Sequence, residues 1–167
     1  MLFRSVGPTA TSVVVDIRDG RVVSRREHPG ARYRIAAAPD GRTVVSGTGA
    51  GDLEVWDPAT GAVLRTIRAD SGPTMGVGFS PDGRLLASIG FDAALDLWDT
   101  RTWTLIRSVQ LYDAPGTAAE FAPDGSAVLT TGGTGAILFP LEAHTRHAAA
   151  VEALAGPPAG QIGRAHV

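Results

Sequence analysis

The sequence predicts an all-β protein built from repeated four-stranded antiparallel units, and three observations predict it. Short apolar runs are closed by Gly, Pro and Asp turn signals rather than by helix caps. Pro-Asp-Gly recurs at 39, 81 and 123, a spacing of 42 both times. Trp-Asp recurs at 56 and 98, again 42 apart. A fixed period of this length, with room for four strands per unit, is the signature of a β-propeller.

The clearest unit spans Met75 to Trp103. Gly76-Val77-Gly78-Phe79 is closed by Ser80-Pro81-Asp82-Gly83, Leu85 to Ile89 by Gly90-Phe91-Asp92, and Ala94 to Trp98 by Asp99 to Thr102. Pro81 sets φ at the first corner of its turn, and Gly83 supplies a left-handed position that side chains resist. Leu105 to Val109 makes the fourth strand.

Residues 1–29 read as the end of a preceding blade, with strands over Ser12–Asp16 and Arg21–Arg25 and a second strand at Leu2–Val6. Residues 30–72 form a blade with strands near 32–37, 43–47, 52–57 and 62–67. Residues 73–114 form the next. Residues 115–157 form a degenerate blade, in which Pro140 stands where a Trp is expected and makes that strand irregular. Ala148–Ala155 falls on its fourth strand by register, with a short helix as the alternative. Residues 158–167 read as the start of a truncated blade. Ile162–Val167 back-translates to a widely used sequencing-adapter string, so a non-native tail is expected there. The fold expected is therefore an incomplete propeller of about three whole blades plus a partial one.

Composition narrows the function classes. The 167 residues carry a net charge of −2, which leaves no basic footprint for nucleic acid. There is no Cys, so neither a disulfide nor a thiolate metal site is available. No apolar run approaches the ~18 residues of a membrane span. All 15 basic residues are Arg. With abundant Ala and Gly, this points to a GC-rich coding sequence and a bacterial source, with a cytoplasmic location expected.

FSPDGRLLASIGFDAALDLWDTRTWTLIRSV, with its Trp-Asp pair ending the third strand, resembles the WD-repeat family. The resemblance covers about Thr11 to Pro157, strongest in the middle unit. It implies a scaffold for protein–protein contact without catalysis, so other proteins are the expected partners and no cofactor is expected. It also implies a hydrogen-bonded tetrad, in which a His before the first strand and an Asp after the second are linked through a strand Ser or Thr to the Trp indole. By register the first unit offers His28, Ser46 and Trp56, with Ala50 at the Asp position. The second offers Ser88, Asp92 and Trp98, with Asp70 at the His position. The third has Tyr112, Thr130, Thr134 and Pro140. No set is complete, and Ala50→Asp is the change expected to complete the first.

Other chemistry is weak. Gly47–Gly51 lacks the Lys-Ser/Thr ending and following helix of a phosphate loop. His144 and His147 have only Glu142 as a further metal ligand nearby. The Asp residues of the turns recur in every unit, which points to turn geometry rather than catalysis. What remains is the face formed by the loops joining successive units and the turns between second and third strands. It carries Arg32, Tyr33, Asp70, Met75, Phe91, Tyr112 and Asp113, and Tyr33, Phe91 and Tyr112 are the residue types that anchor interfaces. The alternatives are part of a propeller enzyme of hydrolase or lactonase type, or the regulatory propeller of a bacterial kinase or transcription regulator.

Overall fold

The computed structural model of the chain describes residues 10–28, 30, 32–133 and 135–141. Among them are thirteen strands and no helix. β1 (Ala10–Val15) and β2 (Val22–His28) form a hairpin. β3 (Arg32–Ala37), β4 (Val44–Thr48), β5 (Asp52–Trp56) and β6 (Val63–Arg68) form blade 1. β7 (Thr74–Phe79), β8 (Leu85–Gly90), β9 (Ala94–Asp99) and β10 (Thr104–Gln110) form blade 2. β11 (Gly116–Phe121), β12 (Ala127–Gly132) and β13 (Gly135–Pro140) belong to blade 3. Every pairing is antiparallel between sequence neighbours, so each sheet is a meander in an incomplete propeller. The expected strands at Leu2–Val6 and Ala148–Ala155, and the segment 158–167, lie outside the described residues.

The repeated tripeptide builds the same turn three times. Gly41, Gly83 and Gly125 have φ of 70°, 72° and 71°. Their amides donate to the carbonyls of Ala38, Ser80 and Ala122. The preceding Asp closes each turn by accepting the amide two residues on, at Arg42, Arg84 and Ser126. The Trp-Asp carboxylates work the same way: Asp57 accepts from Ala59 and Asp99 from Arg101. Recurrence thus reflects backbone satisfaction.

Pro140 does not disturb its strand. β13 pairs with β12 without a register shift through Ala127↔Pro140. The Leu141 amide donates to Ser126 O, so by the two-residue alternation of a strand the position of Pro140 faces away from β12. Its missing donor therefore breaks no bond of this ladder.

Blades pack face to face. Val14 of β1 meets Val44 and Trp56 of blade 1. Val45, Leu53 and Val55 of blade 1 meet Val77, Leu86 and Trp98 of blade 2. Leu85, Ile89 and Leu97 of blade 2 meet Ala119 and Val128 of blade 3. Burial follows position within a blade: β8 is buried at every residue, whereas the outer strand β6 is mostly exposed. Inner strands adjoin one another, β3 against β7 and β7 against β11. Gly76 permits this approach, since a Cβ there would lie 2.7 Å from the Ala118 Cα.

Candidate functional site

The loop face is built where each blade meets the next, and the 42-residue register sets comparable residues into each joint. In the first joint, Arg26 and His28 at the end of β2 face Glu54 on β5. Arg26 donates to Glu54 Oε2 at 3.1 Å, to the Gly61 carbonyl at 2.8 Å and through Nε to His28 Nδ1 at 3.3 Å. His28 Nε2 lies 2.7 Å from Ser12 Oγ. His28 is buried and stands edge-on to Trp56, ring centres 6.0 Å apart.

This corrects the tetrad expected for the first unit. His28 pairs with Ser12 of its own hairpin rather than with Ser46. Ser46 Oγ and Trp56 Nε1 are both buried without a hydrogen-bond partner. With His28 already engaged, Ala50→Asp has no chain to complete. In blade 2 the pair is made: Trp98 Nε1 donates to Ser88 Oγ at 2.9 Å. The β-ladder registers of the two blades match here, Val44↔Trp56 and Leu86↔Trp98, and nothing in them explains the difference. In the third joint Tyr112 replaces the His, and its hydroxyl lies 2.9 Å from Thr130 Oγ1.

Ser88→Ala orphans a buried indole N–H and is expected to cost about 1–3 kcal/mol. Ser46→Ala removes a hydroxyl that has no partner and is expected to be neutral or stabilising. Denaturant midpoints of the two variants check this; equal losses contradict it.

The second joint is acidic. Asp70, expected on the surface, is buried instead. Its Oδ1 accepts the Gly72 amide at 2.8 Å and the Asp92 amide at 3.3 Å. Its Oδ2 lies over Gly90, where a Cβ would come within 1.9 Å. Burial pushes the Asp70 carboxyl above its ordinary range; the Gly72 amide opposes this and the Asp92 charge adds to it. Asp96 on β9 is buried, with Oδ1 lacking a hydrogen-bond partner. Burial raises its pKa to about 6, against a Ser108 hydrogen bond and with help from Asp92 and Asp70.

The Asp96 shift has a sign. Between the unfolded value of 3.8 and about 6, the folded chain holds a proton that the unfolded chain has lost. Asp96 therefore stabilises the fold fully below that window, and the contribution is lost as pH rises through it. Asp96→Asn is expected to flatten the melting temperature across pH 4–6.5; an unchanged slope contradicts this.

Of the proposed surface residues, Phe91 is 52% exposed and Asp113 is exposed. Met75 is half-buried in β7. Tyr112 is half-buried and tied to Thr130. Arg32 and Tyr33 begin β3, and their side chains lie outside what the structure describes. Phe91 rests on the 70–75 loop, where a Cβ on Gly72 would lie 2.9 Å from the Phe91 Cβ. Its amide donates to the Pro73 carbonyl at 3.2 Å.

Sequence reasoning missed Glu54, Arg26 and Asp96. The signal was present: an acid stands two residues before Trp in both Glu54-Val55-Trp56 and Asp96-Leu97-Trp98. Strand alternation puts that acid on the same face as the Trp, in the joint.

Gly47–Gly51 spans the end of β4 and its turn to β5, where Thr48 Oγ1 accepts the Ala50 and Asp52 amides. Glu142, His144 and His147 lie outside the described residues, as does Thr134. Among the described residues no group of three or more His, Asp or Glu side chains could hold a metal ion. No helix among them is long and apolar enough to cross a membrane. On the far side of the first joint from the loop face, a groove of about 450 Å³ is lined by Val14, Val23, Pro58, Leu64 and Arg42.

No curated protein matches the chain. Residues 61–99, from the outer strand of blade 1 through β9 of blade 2, match the family model described as WD domain, G-beta repeat, and this match supports a WD-repeat family for the chain.

Proposed function

We propose that the chain is a protein-interaction module whose partner docks on the loop face around Phe91. WD repeats generally mediate protein–protein contact or scaffolding, and no reaction is assigned to these residues. The observation that carries the surface is Phe91. A phenylalanine more than half exposed, yet held by its amide and seated on a backbone loop, is a pre-positioned apolar anchor. Asp113 is an exposed acid on the same loop face.

The test is site-specific photocrosslinking in the native host. A photoreactive residue in place of Phe91 is expected to capture a discrete partner. The same residue in place of Leu105, an exposed apolar side chain on outer strand β10, is expected to capture none. Phe91→Asp should abolish co-purification of that partner. Equal capture from both positions overturns the reading.

A further inference from the structure

Phe91 stands among acids. Asp92 follows it in the β8–β9 turn and is half-buried, and Asp113 is exposed beyond β10. The two segments are held side by side. Gln110 Nε2 donates to the Asp92 carbonyl at 2.9 Å and to the Tyr112 carbonyl at 3.0 Å. The Leu111 amide donates to the Ala93 carbonyl at 3.2 Å. On the other side of the turn, Asp70 accepts the Asp92 amide. Asp96 lies behind, on the same face of β9 as Trp98 and turned into the joint. It is only 6% exposed, and its Oδ1 has no hydrogen-bond partner.

Among the described residues, Asp70, Asp92, Asp96 and Asp113 make no ion pair. Arg68, at the end of β6, is committed to its own blade: it donates to the Ala50 carbonyl and lies 3.5 Å from Asp52. The first joint differs, because there the Arg26 guanidinium meets Glu54. The second joint therefore presents an exposed apolar ring set in an uncompensated negative field.

We propose that the partner segment docking on Phe91 is basic, with a Lys or Arg beside an apolar side chain. This rests on the docking surface proposed above and names the chemistry of its occupant. The apolar side chain packs on Phe91, and the cation lies over Asp92 and Asp113. Asp70 and Asp96 strengthen the field from behind. The hydrocarbon stem of the cation can cover the edge of the ring while its charged head stays at the rim. Rim charges set partner choice and salt dependence, and the apolar anchor sets residence. The same field repels nucleic acid, whose binding needs cations on the protein.

The test is selection of random phage-displayed peptides on the immobilised full chain. Affinities of the selected peptides, made synthetically, are then measured in NaCl at about 50 and about 500 mM. The selected peptides are expected to carry Lys or Arg next to an apolar residue. Their affinity should fall about tenfold across that salt range. Phe91→Ala, which removes the anchor without changing charge, should weaken them about tenfold at either salt. Asp92→Asn with Asp113→Asn should weaken them about fivefold and flatten the salt dependence. Asp92→Asn keeps the oxygen that accepts the Ala94 amide. Asp113→Asn alone, at an exposed position, still decides if the double variant does not fold. Exchanging the peptide's cation for Gln should cost about as much as the two Asn changes, and little more on top of them. Phe91-dependent peptides that are neutral or acidic, or that ignore salt, overturn the basic partner and leave the docking surface standing. A selection with no Phe91-dependent peptide overturns both.

Discussion

Trp98→Ala is expected to cost about 3–5 kcal/mol, the usual range for truncating a buried Trp. The indole is buried against Val45, Leu53 and Val55 of the neighbouring blade and against Leu86 of its own. It thus spans the joint rather than filling one sheet. The same substitution orphans Ser88 Oγ. Trp103 is the control. It packs half-buried on the edge of the same cluster, from a turn where its φ is 59°. Alanine there keeps the left-handed backbone, so only lost packing counts, about 1–2 kcal/mol. Equilibrium unfolding in urea should place the Trp98→Ala midpoint well below that of Trp103→Ala. Similar midpoints would show that the joint does not depend on the Trp-Asp indole.

Gly76→Val is expected to be as damaging, by about 3 kcal/mol or more, for a different reason. A Cβ at Gly76 lies 2.7–2.8 Å from the Cα and carbonyl carbon of Ala118 and the amide nitrogen of Ala119. All three are backbone atoms of β11, so no rotamer change relieves the clash. The inner strands of blades 2 and 3 must separate, and the cluster joining Ile89 and Leu97 to Val128 opens with them. Gly135→Val is the control, because a Cβ there meets nothing within 4 Å. Loss of cooperative unfolding in the first variant and not the second is the result expected. Tolerance of valine at both positions would mean that the hub is loosely packed.

The architecture was legible because the repeat writes its punctuation three times. Pro39, Pro81 and Pro123 with their Asp-Gly partners mark the turns, and these turns carry the same hydrogen bonds wherever they occur. The joints were harder to read. Their chemistry depends on which strand faces which across two blades, and a tetrad pattern imposed from one unit cannot show that Ser12 competes for His28. Asp70 sits in a connecting loop, a position that reads as surface in the sequence; the amides of Gly72 and Asp92 draw its carboxyl inward. Pro140 reads as a disruption because the direction of its missing donor is invisible until the partner strand is known. Tyr112 reads as an anchor of the same kind as Phe91, although its hydroxyl is committed to Thr130. Exposure distinguishes the two, and a periodic pattern carries no measure of it.

Register-equivalent positions in the three joints hold Arg26, His28 and Glu54, then Arg68, Asp70 and Asp96, then Gln110, Tyr112 and Leu138. The consequence concerns assembly. Repeats that fold by stacking are prone to docking out of order, because every copy offers a similar apolar face. Here the hairpin that ends in Arg26 and His28 meets an acid at Glu54, and against blade 3 it would meet Leu138 at the corresponding position. Blade 1 brings Asp70 to the 90–93 turn, where Asp92 completes the hydrogen bond. Each joint thus works as a keyed fitting, and the order of blades is written in the polar residues while their adhesion comes from the apolar ones.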